Sequence, residues 1–173
     1  MESAEAIGRS AEVAIREEFC AMMRGFPTGV VIVTAADLAG QPWGMTCSSI
    51  CSVTLDPPTL LVCLRIESPT LAAILVRGEF AVNLLHDGAQ ATAELFASGR
   101  RDRYDQVRWQ YGTGDAGPHL HDDAHAIADC QIRTRLPVGD HMVVFGEAYR
   151  ITRRSGHRPL LYGLRRYSSW PAP

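Results

Sequence analysis

The first strong pattern in the chain is helical. Apolar residues recur at three- and four-residue intervals between Val13 and Phe26, which places them on one broad face of a helix. Ser10 is the expected N-cap of this helix. Segment 25–29, with two glycines and one proline, is expected to end it.

Beyond this helix the pattern becomes extended. Segment 29–35 is apolar and β-branched, which is typical of a strand that is buried on both faces. The Asp-Pro-Pro sequence at 56–58 predicts one turn, and the Pro-Val-Gly-Asp sequence at 137–140 predicts another. The other segments expected to form strands are 44–55, 59–65, 79–85, 124–136, 141–152 and 159–167.

Two shorter helices are expected between these strands. Ser68 is a favoured N-cap, Pro69 is a favoured first helical residue, and Gly78 is a natural end of the helix. Segment 88–98 predicts the second short helix. The polar residues 100–124 predict a long excursion between elements.

Six or seven strands in this order do not alternate with helices as a doubly wound sheet requires. The pattern instead predicts a mainly β fold, an antiparallel barrel with peripheral helices, which leaves few free strand edges. The length of 173 residues favours one domain.

Composition excludes several function classes. A hydrophobic fraction of 46% supplies a core, and no apolar run reaches the roughly 18 residues that a spanning helix needs. The net charge of −2 argues against a nucleic-acid partner. The acidic N-terminus lacks the apolar core of a signal peptide, and the five widely spaced cysteines do not suggest a disulfide scaffold. We therefore expect a cytoplasmic protein.

Three motifs resemble known sites but lack the context that those sites need. Residues 112–117, GTGDAG, match a dinucleotide fingerprint, yet no strand precedes them and Pro118 stands where a helix should begin. The HLHDDAH cluster at 119–125 lacks the spacing of a strong zinc signature, so we expect no metal. The short arginine groups, such as 165–166, are expected to be solvated or to contact anions.

The most informative chemistry lies in segment 46–54. It is rich in small hydroxyl residues such as Ser48 and Ser49, which let a ligand approach the backbone and can donate hydrogen bonds. The helix that begins at Ser68 offers free amides for an anion, and Thr70 adds a hydroxyl. Together the two segments suggest a flat, phosphorylated cofactor. The alternative is that these hydroxyls only cap the helix and fill space.

Two other polar residues have ambiguous roles. Asn83 lies in an apolar strand and must find hydrogen-bond partners, so it either fixes the backbone or contacts a ligand. His141 follows a Gly-Asp turn, where a histidine is ordinarily solvated. Neither residue identifies a ligand by itself.

In combination these segments resemble the short-chain flavin reductases, the reductase components of two-component flavin-dependent monooxygenases. The likeness covers roughly residues 17–167 and rests on FPTGVVIVTA, GMTCSSICSVTLDPPTLLVCL, SPT, GEFAVNLL, GDHMVVFGE and PLLYGLRRY, in that order. It implies the FMN-binding split-barrel fold, an antiparallel split β-barrel, in a homodimer. Residues 1–16 then form an N-terminal extension and the start of the helix, and 168–173 a C-terminal tail.

The resemblance also implies an activity. Such enzymes use NADH or NADPH to reduce free FMN or FAD, and they release the reduced flavin to a partner monooxygenase. The histidine His141 is then placed near the nicotinamide as the catalytic residue. The flavin-binding residues that it implies are Thr28, Met45, Thr46, Cys47, Ser48, Ser49, Ser68, Thr70 and Asn83.

Two other functions stay open at this point. One is a non-enzymatic flavin-binding protein on the same barrel, and the other is an oxidase acting on a pyridoxine-type phosphate. The Gly-Asp-His match favours the reductase over the first. The second should need more basic groups near the phosphate than the Ser-Pro-Thr segment at 68–70 provides. The choices between FMN and FAD and between NADH and NADPH also stay open.

Overall fold

The computed structural model describes residues 2–171, with side chains described from residue 13 onward. The helices are α1 (Glu2–Arg24), α2 (Pro69–Arg77) and α3 (Gln90–Ala97). The strands are β1 (Thr28–Gly29), β2 (Val31–Ala36), β3 (Pro42–Cys47), β4 (Ile50–Leu55), β5 (Pro58–Arg65), β6 (Glu79–Leu85), β7 (Ala124–Val138), β8 (His141–Arg153), β9 (Leu160–Gly163) and β10 (Arg166–Ser169).

Helix α1 begins earlier than the sequence pattern indicates. It starts at Glu2, so Ser10 lies inside the helix and the prediction of an N-cap there is wrong. The residues ahead of Ser10 are rich in Ala and Glu, which favour a helix, so they extend it toward the N-terminus. The helix ends at Arg24, just before the Gly- and Pro-containing segment that was expected to stop it.

Seven strands form one antiparallel sheet in the order β3-β2-β6-β7-β8-β5-β4. Strands β3 and β4 follow one another in the chain and yet occupy opposite edges of this sheet. Only Ser48 and Ser49 connect them, and the step from Cys47 to Ile50 spans at most about 11 Å. The two edges must therefore lie together, so the sheet curls into a barrel. The prediction of a mainly β, antiparallel split β-barrel is confirmed.

The single strand expected for 44–55 is therefore two strands. Strand β3 pairs with β2, whereas β4 pairs with β5, and the break falls at Ser48 and Ser49. The backbone N–H of Cys63 donates to the Ser49 carbonyl oxygen at 3.1 Å, which fixes the link against β5. An uninterrupted extended pattern does not reveal where a chain changes its pairing partner.

Strand β2 lies between two apolar cores. Every residue from Val31 to Ala36 is buried, as expected for a strand covered on both faces. Val31 and Val33 face the barrel interior with α2, and Ile32 faces a second cluster with α3. Burial of a branched side chain stabilises the fold by roughly 1.5–3 kcal/mol, so this strand holds both helices in place.

Helix α2 has the ends that the sequence predicts. Pro69 is its first residue, and Gly78 ends it in the left-handed region with φ 75°, donating its N–H to the Ile74 carbonyl. Ser68 stands at the N-cap position but makes no side-chain capping bond. Its hydroxyl donates instead to the Met45 sulfur at 3.3 Å.

The last predicted strand, 159–167, is a hairpin rather than one strand. Strands β9 and β10 pair with each other, and β9 also pairs with β1. Leu164 and Arg165 form the two-residue turn with φ angles of 50° and 60°. Such turns favour Asn-Gly or Gly-Gly, and a left-handed residue other than glycine costs roughly 1–2 kcal/mol. Without glycine at these positions, the sequence gives no signal for the turn.

The 112–123 segment is held by buried polar side chains. The Asn83 amide nitrogen donates to the Ile32 carbonyl at 3.2 Å and to the Thr34 hydroxyl at 3.1 Å, and its oxygen accepts the Leu120 N–H at 2.9 Å. Asn83 is 0% exposed. Of its two expected roles, fixing the backbone is the one that the geometry displays.

Residues of the GTGDAG and HLHDDAH motifs also hold the 112–123 segment against the barrel. Asp129 of β7 accepts hydrogen bonds from His119 Nε2, from the Ala116 amide and from Arg150 Nε, each at 2.8 Å. Arg150 pairs with Asp115 as well. Because the Arg150 guanidinium bonds to both carboxylates, this cluster forms an ion-pair network that ties the loop to β7 and β8.

The apolar stripe of α1 is not covered by the rest of the chain. Phe26 at its end is 61% exposed, and Ile15 is 68% exposed.

Among the described residues, no helix combines the length and apolarity needed to cross a membrane. The boundaries expected at 16/17 and 167/168 both fall inside elements, within α1 and β10.

Candidate active site

A cavity of about 630 Å³ lies between the end of α1, the β9–β10 turn and the outer face of β4 and β5. This volume is within the range of small-molecule sites. Its apolar lining includes Phe19, Met23, Phe26, Ile50, Leu61 and Leu164. The hydroxyl groups that line it belong to Thr28, Ser48, Ser49 and Tyr162. It therefore offers an apolar surface with a few hydrogen-bonding groups.

The floor of the cavity is the outer face of the barrel wall. Side chains alternate along a strand, and Val62 and Leu64 of β5 are buried in the core, so Leu61 and Cys63 face outward into the cavity. Cys51 of β4 is paired with Leu61 and faces the same way. Cys63 therefore lines the cavity and not the barrel core, although its apolar sequence neighbours on β5 would suggest a core position.

The Ser48–Ser49 link explains why hydroxyls gather at this place. The chain leaves one edge of the sheet and enters the other here, so both side chains are exposed rather than packed. The bond from Cys63 N–H to the Ser49 carbonyl holds the link against the floor. Thr28 of β1 lines the same cavity. It belongs to the three-stranded sheet β1-β9-β10, where it pairs with Tyr162.

His141 lies on the same outer face, beside the cavity rather than in its lining. Arg65 follows Cys63 by two positions on β5 and pairs directly with His141 of β8. Diagonal neighbours across antiparallel strands are about 7–8 Å apart, so His141 is one such step from Cys63. The His141 side chain is 40% exposed, and its Nδ1 lies 2.7 Å from Asp140 Oδ1.

Three of the expected flavin-binding residues on β3 turn away from the cavity. The Thr46 hydroxyl donates to the Ala93 carbonyl of α3 at 2.6 Å. Cys47 is buried in the barrel core, and Met45 packs against that core. Strand β3 is covered by α2 and α3, so its side chains have partners within the chain.

The helix-start residues are also separate from this cavity. Thr70 is 2% exposed on the buried face of α2, and Ser68 contacts Met45. Neither lines the cavity, and neither does Asn83. The structure therefore gathers Thr28, Ser48 and Ser49 around one space, with His141 nearby, and leaves the other expected residues outside it.

Two arginines that line the cavity were not among the expected site residues. Arg24 ends α1, and Arg165 occupies the β9–β10 turn. Arg165 belongs to an arginine group that the sequence marked only as solvated or anion-contacting. No sequence signal indicates that residues so far apart in the chain meet at one cavity.

The chemical groups that line the cavity are apolar side chains, hydroxyls, thiols and two guanidiniums. No carboxylate or imidazole stands among its described lining residues. Burial raises the pKa of the Cys63 thiol, and behind the floor it raises the pKa of Cys47 to about 11, so both stay neutral thiols near neutral pH. The arrangement suits binding and orientation of a ligand that carries its own reactivity.

Comparison with known proteins identifies the family. Residues 23–171 match the model of the flavin reductase like domain. The chain belongs to the flavin reductase family. This match covers the barrel, the link at Ser48 and Ser49, and the β9–β10 hairpin. Most of the cavity lining therefore lies within the matched region.

Individual relatives agree with this assignment. The chain is 49% identical to a flavin reductase (NADPH) of Lentzea aerocolonigenes over 150 residues, which is 87% of each protein. It is 32% identical to HsaB of Rhodococcus jostii, the reductase subunit of a flavin-dependent monooxygenase, over 88% of this chain and 77% of HsaB.

A solved structure with the same fold is the NADH:FAD oxidoreductase SgcE6 of Streptomyces globisporus, in complex with NAD and FAD fragments. It superposes with a TM-score of 0.83 and 30% identity, over 90% of this chain and 93% of that one. The expected membership in the flavin reductase family and the expected barrel are confirmed.

Proposed function

We propose that this protein is an NAD(P)H-dependent flavin reductase that reduces free FMN or FAD at the cavity between α1 and the outer barrel face. The observation that carries the proposal is the continuous outer surface that runs from the hydroxyls of Ser48 and Ser49, across Cys63, to His141. Family membership supports the reaction, and this surface supports its location.

The cavity fits a flavin by shape and polarity. Phe26 and Leu61 offer apolar surface for a flat ring system, and Thr28, Ser48 and Ser49 offer hydroxyl donors for its polar edge. A ring held against β4 and β5 would keep its other face available for the nicotinamide. Since Ser48 and Ser49 are exposed, a bound flavin can also leave the site.

The protein's own contribution is orientation. Bound nicotinamide supplies a hydride and bound flavin accepts it, so the bond changes belong to the two cofactors. The hydroxyls of Ser48 and Ser49 would hold the polar edge of the flavin ring, and the apolar wall would exclude water from the reacting face. Correct placement of two bound reactants lowers the barrier without any acid or base.

His141 would position the nicotinamide. Asp140 accepts a hydrogen bond from His141 Nδ1, and this bond also holds the pKa of the Asp140 carboxyl below its ordinary value. In the neutral ring this assignment leaves Nε2 as an acceptor, which suits the N–H of a carboxamide. His141 therefore remains our proposed catalytic residue, in contact with the hydride donor.

We also propose that the reduced flavin passes to a separate monooxygenase, as the similarity to a monooxygenase reductase subunit supports. A homodimer belongs to the same proposal, because the apolar stripe of α1 and the outer side chains of β7 are exposed in a single chain. The five free thiols are compatible with a reducing, cytoplasmic setting.

The test is an absorbance assay with the purified full-length protein. NADH or NADPH is mixed with FMN or FAD in the four combinations, and the loss of the reduced-nicotinamide band is followed. The proposal expects oxidation well above the protein-free flavin blank in at least one combination. Flavin binding without oxidation above the blank would instead identify a non-enzymatic flavin-binding protein.

A further inference from the structure

Arg24 and Arg165 form a pair of positive charges at the wall of the cavity. They come from the end of α1 and from the β9–β10 turn, and both are exposed. The other described lining residues carry no charged side chain. Among the side chains that the structure describes, no carboxylate lies within 4.0 Å of either guanidinium.

The turn that carries Arg165 is fixed to the end of α1. The Leu164 N–H donates to the Arg24 carbonyl at 2.7 Å. Gly163 lies directly against Pro27, since an added Cβ would meet the Pro27 Cα at 3.2 Å. The backbones that carry the two arginines are therefore held together, although the residues are far apart in sequence.

The turn also adopts an unfavourable backbone to reach this position. Leu164 and Arg165 both have positive φ angles, which side chains other than glycine rarely adopt. Both side chains line the cavity. Left-handed residues of this kind persist where the surroundings hold them, and they occur often at ligand sites.

We propose that Arg24 and Arg165 bind a phosphate group of a nucleotide cofactor, and that Arg165 is the principal contact. Two guanidiniums that line one cavity, with no carboxylate partner among the described side chains, match the charge of a phosphate or pyrophosphate. The inference rests on the proposed function, because that function brings phosphorylated flavins and nicotinamide nucleotides to this cavity. It also places phosphate recognition away from the Ser68–Thr70 helix start.

The phosphate has two possible sources, and the ligands of the test separate them. Riboflavin has the flavin ring without a phosphate, FMN adds one phosphate, and FAD adds a pyrophosphate. NADPH differs from NADH by a single phosphate. Titration of each flavin with the purified protein, followed by flavin fluorescence, measures affinity without requiring turnover. Steady-state KM values for NADH and NADPH supply the second arm.

The variants are Arg165→Gln and Arg24→Gln, each compared with an exposed arginine outside the cavity. Arg16→Gln is the control on the same helix, and Arg101→Gln is the control in a loop. If the arginines hold the flavin phosphate, Arg165→Gln weakens FMN or FAD binding by about 10-fold and leaves riboflavin affinity unchanged. If they hold the nicotinamide nucleotide, the flavin affinities stay constant and KM for NADPH, or for both nucleotides, rises by a similar factor.

The inference is overturned if Arg165→Gln and Arg24→Gln match their controls for every flavin and for both nucleotides. That result would leave the reductase activity intact, so it would not touch the proposed function. Conversely, a wild-type protein that binds FMN through Arg165 without oxidising either nucleotide would refute the reductase function and uphold the phosphate contact.

Discussion

Ser49 was expected to bind flavin, and the structure places its side chain in the lining of the cavity. Its backbone carbonyl is held by the Cys63 N–H, so the side chain projects from a fixed position into the cavity. We predict that Ser49→Ala weakens flavin binding by about 1 kcal/mol, which is the net worth of one hydrogen bond. Fluorescence titration measures the change, with Ser155→Ala at an exposed turn as the control. Equal affinities of wild type and Ser49→Ala would remove this hydroxyl from the site.

His141 tests the other end of the proposed surface. We predict that His141→Ala raises the Michaelis constant for the nicotinamide nucleotide several-fold and leaves flavin affinity nearly unchanged, because the ring lies beside the cavity and not in its lining. Steady-state kinetics with the preferred nucleotide, together with flavin titration, make this comparison. Unchanged kinetic constants would show that His141 has no part in nucleotide binding.

The residue types in segment 46–54 predicted hydroxyl groups that could bind a ligand. They did not predict which of these hydroxyls would already be bonded to other parts of the protein. Hydroxyls near residue 50 marked a segment whose two serines, Ser48 and Ser49, line the cavity. They did not distinguish Ser49 in the cavity from Thr46, whose hydroxyl bonds to the Ala93 carbonyl. That difference depends on α3 covering β3, which is a long-range contact that no local pattern contains.

At the scale of elements, Asp129 joins the 112–123 segment to the barrel. The carboxyl is 1% exposed, and burial by itself opposes its ionisation. Hydrogen bonds from His119, Arg150 and the Ala116 amide outweigh that effect and hold the pKa of Asp129 below its ordinary value. The ionised form is therefore the one that stabilises the fold.

The sign of this shift predicts how stability depends on pH. A lowered carboxyl pKa contributes stability above the unfolded value of about 3.9, and that contribution is lost as the pH falls through the lower folded value. We predict that Asp129→Asn reduces the free energy of unfolding at pH 7 by about 3 kcal/mol, since it leaves Arg150 and His119 with a weakened partner.

Urea unfolding of Asp129→Asn and wild type between pH 7 and pH 2 measures both effects. The difference between the two proteins should shrink toward the acid end, where Asp129 of the wild type becomes protonated. A difference that stays constant over the whole pH range would show that ionisation of Asp129 does not support the fold. Asp122→Asn, which alters an exposed carboxyl, is the matched control.

The sequence predicted element boundaries correctly where glycine or another typical turn residue marks the end of an element. Gly78 ends α2 as expected, and the Gly-Asp pair at 139–140 separates β7 from β8. The sequence failed at the Leu164–Arg165 turn and at the Ser48–Ser49 break. Both depend on tertiary contacts, the first with the end of α1 and the second with β5.

At the scale of the whole molecule, the exposed apolar surface predicts self-association. Leu136 and Val138 of β7 pair with Val143 and His141, so they lie on the same outer face as the proposed nicotinamide position, and they are 56% and 55% exposed. Contiguous apolar surface of this kind marks an interaction site. We predict that Leu136→Arg converts a wild-type dimer into a monomer.

Light scattering coupled to size-exclusion chromatography measures the mass of each species. Leu38→Arg changes an equally apolar, exposed residue in the turn between β2 and β3, and it should leave the mass unchanged. A monomeric wild-type protein, or a dimeric Leu136→Arg variant, would contradict the proposed interface.

The barrel could be predicted from the sequence because the patterns that indicate strands recur along the chain. Several apolar extended segments without alternating helices specify an antiparallel sheet, and the doubly buried β2 was recognisable from its composition. The cavity was less accessible, because it forms where α1, the β9–β10 turn and the outer barrel face meet. Arg24, Arg165 and Cys63 line the cavity only because these three parts of the fold come together.

A crystal structure of the protein with FMN and NAD⁺ would show where the flavin binds. We expect electron density for the flavin ring against the outer face of β4 and β5, with its polar edge at Ser48 and Ser49 and the nicotinamide toward His141. A flavin ring bound elsewhere, with neither Ser49 nor His141 in contact with a cofactor, would refute the proposed site.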